Sequence, residues 1–158
     1  FEIVSLSAPQ LHPSGMGRQW YPLYPHEWVQ VPKAVLDLER RLTHLSFEEI
    51  PLNKTLLFGF SQGGAMALEL ASKKKFEGVF AISSYPHPDW DPSKDTPPVF
   101  LCHGKVDQVV PMEASQKSFD ILSKKGIKSE LYFFEGGHEI NNDLIKYCRG
   151  IIKQKFLN

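Results

Sequence analysis

The chain is poor in cysteine, in net charge and in long apolar runs, and each shortage removes a class of protein. Only Cys102 and Cys148 occur in 158 residues, too few for a disulfide-stapled scaffold. Both lie in apolar segments, which reads as two free, mostly buried thiols in a reducing, cytoplasmic compartment. A single disulfide between them stays open on sequence alone. Basic and acidic residues balance at 18 each, so neither a nucleic-acid partner nor an anionic membrane surface is expected. The basic runs at 73–75 and 124–125 read as solvated helix ends. No stretch approaches the roughly 20 apolar residues of a membrane-spanning helix. No pair of histidines or cysteines has metal-ligand spacing, so no metal is expected. Without an internal repeat or low-complexity tract, residues 1–158 read as one domain.

What the chain does have is centred on residues 54–70. A short β-forming run at 55–58 is followed by Gly59-Phe60-Ser61-Gln62-Gly63-Gly64 and then by good helix formers at 65–71. This matches G-x-S-x-G between a strand and a helix, the pattern that holds a serine at a sharp, strained turn with its hydroxyl exposed. Glycines on either side let strand and helix approach without a Cβ clash. The backbone N–H of Gln62, at the start of the helix, is the expected oxyanion donor.

The rest of the chain supplies a sheet for that turn. Residues 1–8 read as a buried strand, and residues 9–26 as a long irregular segment carrying Arg18, Trp20, Tyr21 and Tyr24. A helix is predicted from Pro32 to about Leu45, then a connection at 46–53 broken by Pro51. Further strands are predicted at 79–82, 99–103 and 128–134, and helices at 112–125 and 142–156. A second long loop, 83–98, carries Tyr85, His87 and Trp90. Continuous apolar strands alternating with helices predict an α/β fold, a mostly parallel central sheet with helices on both faces. The chain opens at Phe1 rather than Met and directly on a strand pattern, which reads as an N-terminally incomplete or processed start.

In such sheets the working residues gather at the carboxyl ends of the strands. Three loops there carry complementary groups. Ser61 is the expected nucleophile, His138 the general base and acid, and Asp107 the carboxylate that orients the imidazole. Their order along the chain, Ser, Asp, His, is that of α/β-hydrolases. Asp89, Asp91 and Asp95 are rivals to Asp107, but only Asp107 follows an apolar strand by a short glycine turn. His138 competes with His12, His26, His44, His87 and His103. Gly136 and Gly137 in front of His138 free its loop to reach the serine, whereas His103 ends a strand and reads as a satisfied, partly buried side chain. Trp20 and Tyr85 are candidates for the wall of a substrate pocket, with simple packing of the loops as the competing reading.

The stretches around Ser61 (Gly59-Phe60-Ser61-Gln62-Gly63-Gly64), Asp107 (His103-Gly104-Lys105-Val106-Asp107-Gln108-Val109-Val110-Pro111) and His138 (Phe134-Glu135-Gly136-Gly137-His138) together resemble the phospholipase/carboxylesterase family. Gly17-Arg18-Gln19-Trp20-Tyr21 is similar to the aromatic loop of its bacterial serine-esterase branch. The resemblance implies an α/β-hydrolase fold, no cofactor, and hydrolysis of carboxylic esters or thioesters of small-molecule or acylated substrates. It carries Ser61, Asp107 and His138 to the same three roles. Members of the family also have an earlier strand ending in a His-Gly loop that supplies a second oxyanion N–H. Here only the Gln62 amide is identifiable. The alternative expectation is a non-catalytic α/β-hydrolase scaffold that binds acyl groups or a protein partner.

Overall fold

The computed structural model describes residues 2–23, 25–47 and 51–157. Tyr24 and positions 48–50 of the 46–53 connection lie outside them. Among the described residues, six strands and four α-helices follow in chain order: β1 (Gln10–Leu11), β2 (Arg18–Gln19), α1 (Val31–Phe47), β3 (Leu56–Phe60), α2 (Gln62–Ala71), β4 (Gly78–Ile82), β5 (Val99–Gly104), α3 (Glu113–Lys124), β6 (Ser129–Phe134) and α4 (Asn142–Lys155). Strands β3, β4, β5 and β6 form one parallel sheet in that order.

The apolar runs explain the layering. Every residue of β4 and β5 is buried, as strands covered on both faces require. One face, Val79, Ala81, Val99 and Leu101, packs against Ala67, Leu68 and Ala71 of α2 and Leu122 of α3. The other, Phe80, Ile82, Phe100, Cys102 and Phe134, packs against Leu144, Cys148 and Ile151 of α4. Helix α1 lies outside α2, its Val35, Leu38 and Leu42 stripe set against Met66 and Leu70. Both cysteines are free and buried. The neighbouring Cys148 thiol, with burial, pushes the Cys102 thiol far up, so it is no rival nucleophile. Among the described residues, no helix is long and apolar enough to cross a membrane.

Two expectations change. Residues 2–8 are not a strand, although their alternation suits one, because a strand exists only where a neighbour completes its ladder. Here the carbonyls of Ser7, Ala8 and Pro9 accept instead from the guanidinium groups of Arg41 and Arg18, and Ile3 is 88% exposed. The following loop is not wholly irregular either. Gly15 and Gly17, with φ of 74° and 87°, reverse the chain so that β1 and β2 pair as a small antiparallel hairpin. At the edge of the parallel sheet, β3 is only half-buried, and Phe58, 51% exposed, stacks on Phe80 with ring centroids 4.3 Å apart. Among the described residues, β4 is its one strand neighbour.

Candidate active site

Ser61 sits between β3 and α2 with φ 53° and ψ −121°. Few non-glycine residues occupy this left-handed region, and strain of this kind costs about 1–3 kcal/mol unless the surroundings impose it. They do. The Ser61 N–H donates to the Ile82 carbonyl at 2.8 Å, and the Ser61 carbonyl accepts from Gly64 and Ala65 at 2.9 and 3.2 Å. A Cβ on Gly59 would lie 2.2 Å from the Gly63 oxygen, and one on Gly64 would lie 2.5 Å from the Cβ of Ser84. Only glycine permits strand, turn and helix to close that tightly. Although serine is a favoured N-cap residue, Ser61 makes no side-chain cap bond to α2, so the helix end does not occupy its hydroxyl. As the first residue of α2, Gln62 carries an N–H beyond the reach of the intrahelical ladder.

His138 and Asp107 meet across two loops. His138 donates from Nδ1 to Asp107 Oδ2 at 2.8 Å, which leaves Nε2 as the acceptor of the neutral ring. The ring of Phe60, the residue before Ser61, lies 4.6 Å from the imidazole centroid. No hydrogen bond joins the Ser61 hydroxyl to His138 among the described residues. Gly104 makes the pairing of the loops possible, since a Cβ there would stand 2.3 Å from the Gly137 oxygen and 2.5 Å from that of Gly136. Lys105 N–H to the Phe134 carbonyl and Val106 N–H to the Gly136 carbonyl then zip the two loops together. Asn141 secures the far end. It caps α4 by accepting from Asp143 and Leu144, and it donates to the Glu135 carbonyl at 2.8 Å.

The Asp107 carboxylate is wholly buried. Burial acts to raise its pKa, but the Val110 amide, the hydrogen bond from His138 and the Val109 amide outweigh it and hold the carboxyl below its usual range. Oδ1 accepts both amides at 2.9 Å. A carboxyl with a lower pKa in the folded state binds fewer protons there than in the unfolded chain. Its contribution to stability is therefore complete above the unfolded pKa, about 3.9, and is lost as the pH falls through the folded value. The gap in thermal midpoint between the parent and Asp107→Asn should be full at neutral pH and close below about pH 4. A gap that persists undiminished to the acid limit of the titration would contradict this.

The rival residues, His103 excepted, are placed elsewhere. Asp89 and Asp95 are exposed, and Asp91 pairs with Lys125 on the surface. His12 bonds Ser14, and His26 stacks on Trp28. His44 is exposed on α1. His103 is not partly but completely buried. Trp20 is 8% exposed and belongs to the cluster between α1 and α2, while Tyr85 is half-buried. A cleft lined by Trp28, Val35, Glu69 and His87 includes neither of these two, nor Ser61 or His138. Among the described residues, no three His, Cys, Asp or Glu side chains are grouped to hold a metal.

Sequence reasoning missed the side chain of Gln62 and a buried polar chain behind the site. Gln62 Oε1 accepts from Trp20 N–H and its Nε2 donates to the Tyr21 carbonyl, both at 2.8 Å. The aromatic segment is thereby fastened to the first turn of α2. Tyr21 Oη lies 2.8 Å from Tyr85 Oη and 2.7 Å from His87 Nε2, and His87 Nδ1 lies 3.0 Å from Glu69. Burial, then the Tyr85 hydroxyl, push the Tyr21 phenol far up, so it stays a hydroxyl. With His87 neutral, the bonds run from Tyr85 to Tyr21 to His87, and from the other ring nitrogen to Glu69. The available signal was Glu69 itself, an acid within the apolar run of α2 and seven residues, about two turns, beyond Gln62.

A sequence profile of the phospholipase/carboxylesterase family matches residues 1–155. The chain is 30% identical to acyl-protein thioesterase 1 of Yarrowia lipolytica over 146 residues, which cover 80% of this chain and 64% of that protein. It is 35% identical to the Neurospora crassa acyl-protein thioesterase 1 over 103 residues, 56% of this chain and 41% of that one. The match thus spans less than half of the Neurospora protein. Among solved structures, that of esterase PE8 superposes with a TM-score of 0.85 at 26% identity, covering 95% of this chain and 76% of the other. SOBER1 from Arabidopsis thaliana superposes at 0.74 with 24% identity over 94% of this chain and 81% of that one, a likeness of fold.

Proposed function

From a chain that belongs to the phospholipase/carboxylesterase family and has the α/β-hydrolase fold, we propose a serine hydrolase that cleaves carboxylic esters or thioesters through an acyl-enzyme on Ser61. The observation that carries this reading is the left-handed backbone of Ser61, held at a strand-to-helix turn with its hydroxyl unspent on the helix end. A serine hydroxyl attacks a carbonyl only when a base takes its proton. His138 Nε2 is that base, because Nδ1 is committed to Asp107. The buried carboxylate fixes the tautomer and stabilises the imidazolium that forms. As negative charge moves onto the carbonyl oxygen, the Gln62 N–H receives it. His138 then returns the proton to the departing alkoxide or thiolate. A water, activated by the same imidazole, releases the acid from Ser61.

The substrate class follows the relatives, which are named esterases and acyl-protein thioesterases. The reaction needs no metal or cofactor. Two free buried thiols suit a reducing, cytoplasmic setting.

The test sets p-nitrophenyl esters, acyl-thioesters and peptides side by side, with and without a fluorophosphonate probe. We expect turnover of esters or thioesters, no peptide cleavage, and loss of turnover as one phosphonyl group accumulates on the tryptic peptide containing Ser61. Turnover that survives complete labelling, or an adduct only at another residue, would overturn the assignment.

A further inference from the structure

His103 is the one histidine whose side chain is wholly buried against the acid of the site. It lies near the end of β5 with 0% exposure. Its Nε2 is 2.9 Å from the Val110 carbonyl and 3.3 Å from Asp107 Oδ2. Its Nδ1 is 2.6 Å from Ser115 Oγ on α3, and Ser115 is equally buried. Resting on the active-site reading above, we propose that His103 is a positioning residue that holds Asp107 in line for His138.

The hydrogen bonds fix the ring. Neither the Val110 carbonyl nor the Asp107 carboxylate can donate, so His103 Nε2 carries a proton towards both. Nδ1 of the neutral ring then accepts from the Ser115 hydroxyl. The consequence reaches Asp107 by two routes. The imidazole N–H faces Oδ2, the same oxygen that accepts from His138. It also anchors the carbonyl of Val110, whose amide, with that of Val109, holds Oδ1. The turn carrying Asp107 runs from the end of β5 to the start of α3, and His103 with Ser115 ties those two elements behind it. Without that tie Asp107 can tilt, and His138, half-buried at the rim, tilts with it. A displacement of about 1 Å at such a site can cost on the order of 100-fold in rate.

His103→Leu keeps the bulk and removes both ring nitrogens. It should lower kcat about 10–100-fold and leave KM near the parental value, because no substrate contact is altered. His103→Gln can place its amide N–H where Nε2 stood and should recover most of that loss. A merely space-filling histidine would not show this rescue. Ser115→Ala keeps His103 and its Nε2 proton but cuts the ring's tie to α3, and should lower kcat with unchanged KM. Should the leucine variant fail to fold, the glutamine and alanine variants carry the test. Parental kcat in a folded His103→Leu or Ser115→Ala enzyme overturns the proposal, as does equal loss in the leucine and glutamine variants. His138→Gln, run in the same assay, keeps the two readings apart. If it retains turnover, the active-site assignment itself falls. If it loses turnover while the positions around His103 are silent, only the positioning role falls.

Discussion

Ser61→Ala is expected to lower kcat by about a million-fold, the scale seen when a serine nucleophile is removed from an intact acyl-transfer site, without lowering the thermal midpoint. Both halves follow from the geometry of one residue. The hydroxyl makes no cap bond to α2, so deleting it leaves no helix-end amide without its partner. The left-handed backbone at φ 53° is as strained for alanine as for serine, so that cost does not change either. The bond to the Ile82 carbonyl comes from the main chain and survives. What disappears is the atom proposed to attack, and neither Gln62 nor the His138–Asp107 pair can replace it. The measurement is kcat on an ester or thioester substrate beside a thermal melt of the same sample. Turnover within tenfold of the parent would remove Ser61 from the mechanism. A collapse of the melting transition would show that the hydroxyl is structural.

Gly59→Ala and Gly63→Ala should have opposite effects, although both glycines belong to the same five-residue motif. A Cβ on Gly59 would meet the oxygen and carbon of Gly63 and the nitrogen of Gly64 at 2.2, 2.5 and 2.6 Å. All three are main-chain atoms that no rotamer change can move. Either the elbow opens or β3 and α2 separate, and overpacking of this kind costs about 1–3 kcal/mol or more. Since Ser61 is held by that closure, kcat should fall by roughly 100-fold or more as well. A Cβ on Gly63 meets nothing within 4 Å, and Gly63 lies within α2. Alanine there is a better helix former by up to about 1 kcal/mol, so the variant should melt at or above the parental midpoint. Thermal melts of the two single variants decide the matter, and similar midpoints for both would show that the close approach at Gly59 is not what holds the elbow.

The motif alone treats those glycines alike, which marks where the sequence stops being informative. Local patterns made the elbow, β4, β5, α3 and α4 legible to within a residue or two. Each rests on chemistry that neighbours in the chain determine: an apolar run, a glycine at a turn, a helix stripe. Gly126 is such a case, its φ of 70° ending α3 where the sequence put the stop. The loops that carry the candidates Ser61, Asp107 and His138 were likewise legible, each just beyond an apolar strand. The hydrogen bond between the last two depends on Gly104 letting the β5 and β6 loops touch, and a glycine announces freedom without saying what approaches it.

Residues 2–8 mark the opposite limit. Their alternation of apolar and polar residues is genuine, but the arginines at 18 and 41 take the carbonyls of Ser7, Ala8 and Pro9. Pairing is settled by which donor arrives, and that donor is remote in the chain.

By itself, then, the sequence determined the order of the elements from α1 onward, the strained serine turn and the residue types at three strand ends, because short-range sterics and hydrophobic period decide such things. Tertiary structure alone decided that Gln62 straps down Trp20 and Tyr21, that Glu69 closes a buried chain through His87 to Tyr85, and that His103 stands behind Asp107. The reason is physical. Burying a polar side chain is costly unless a partner satisfies it, and the partners of Gln62 and His87 came from segments 18 to 66 residues away, joined by the fold and invisible in any window of the chain.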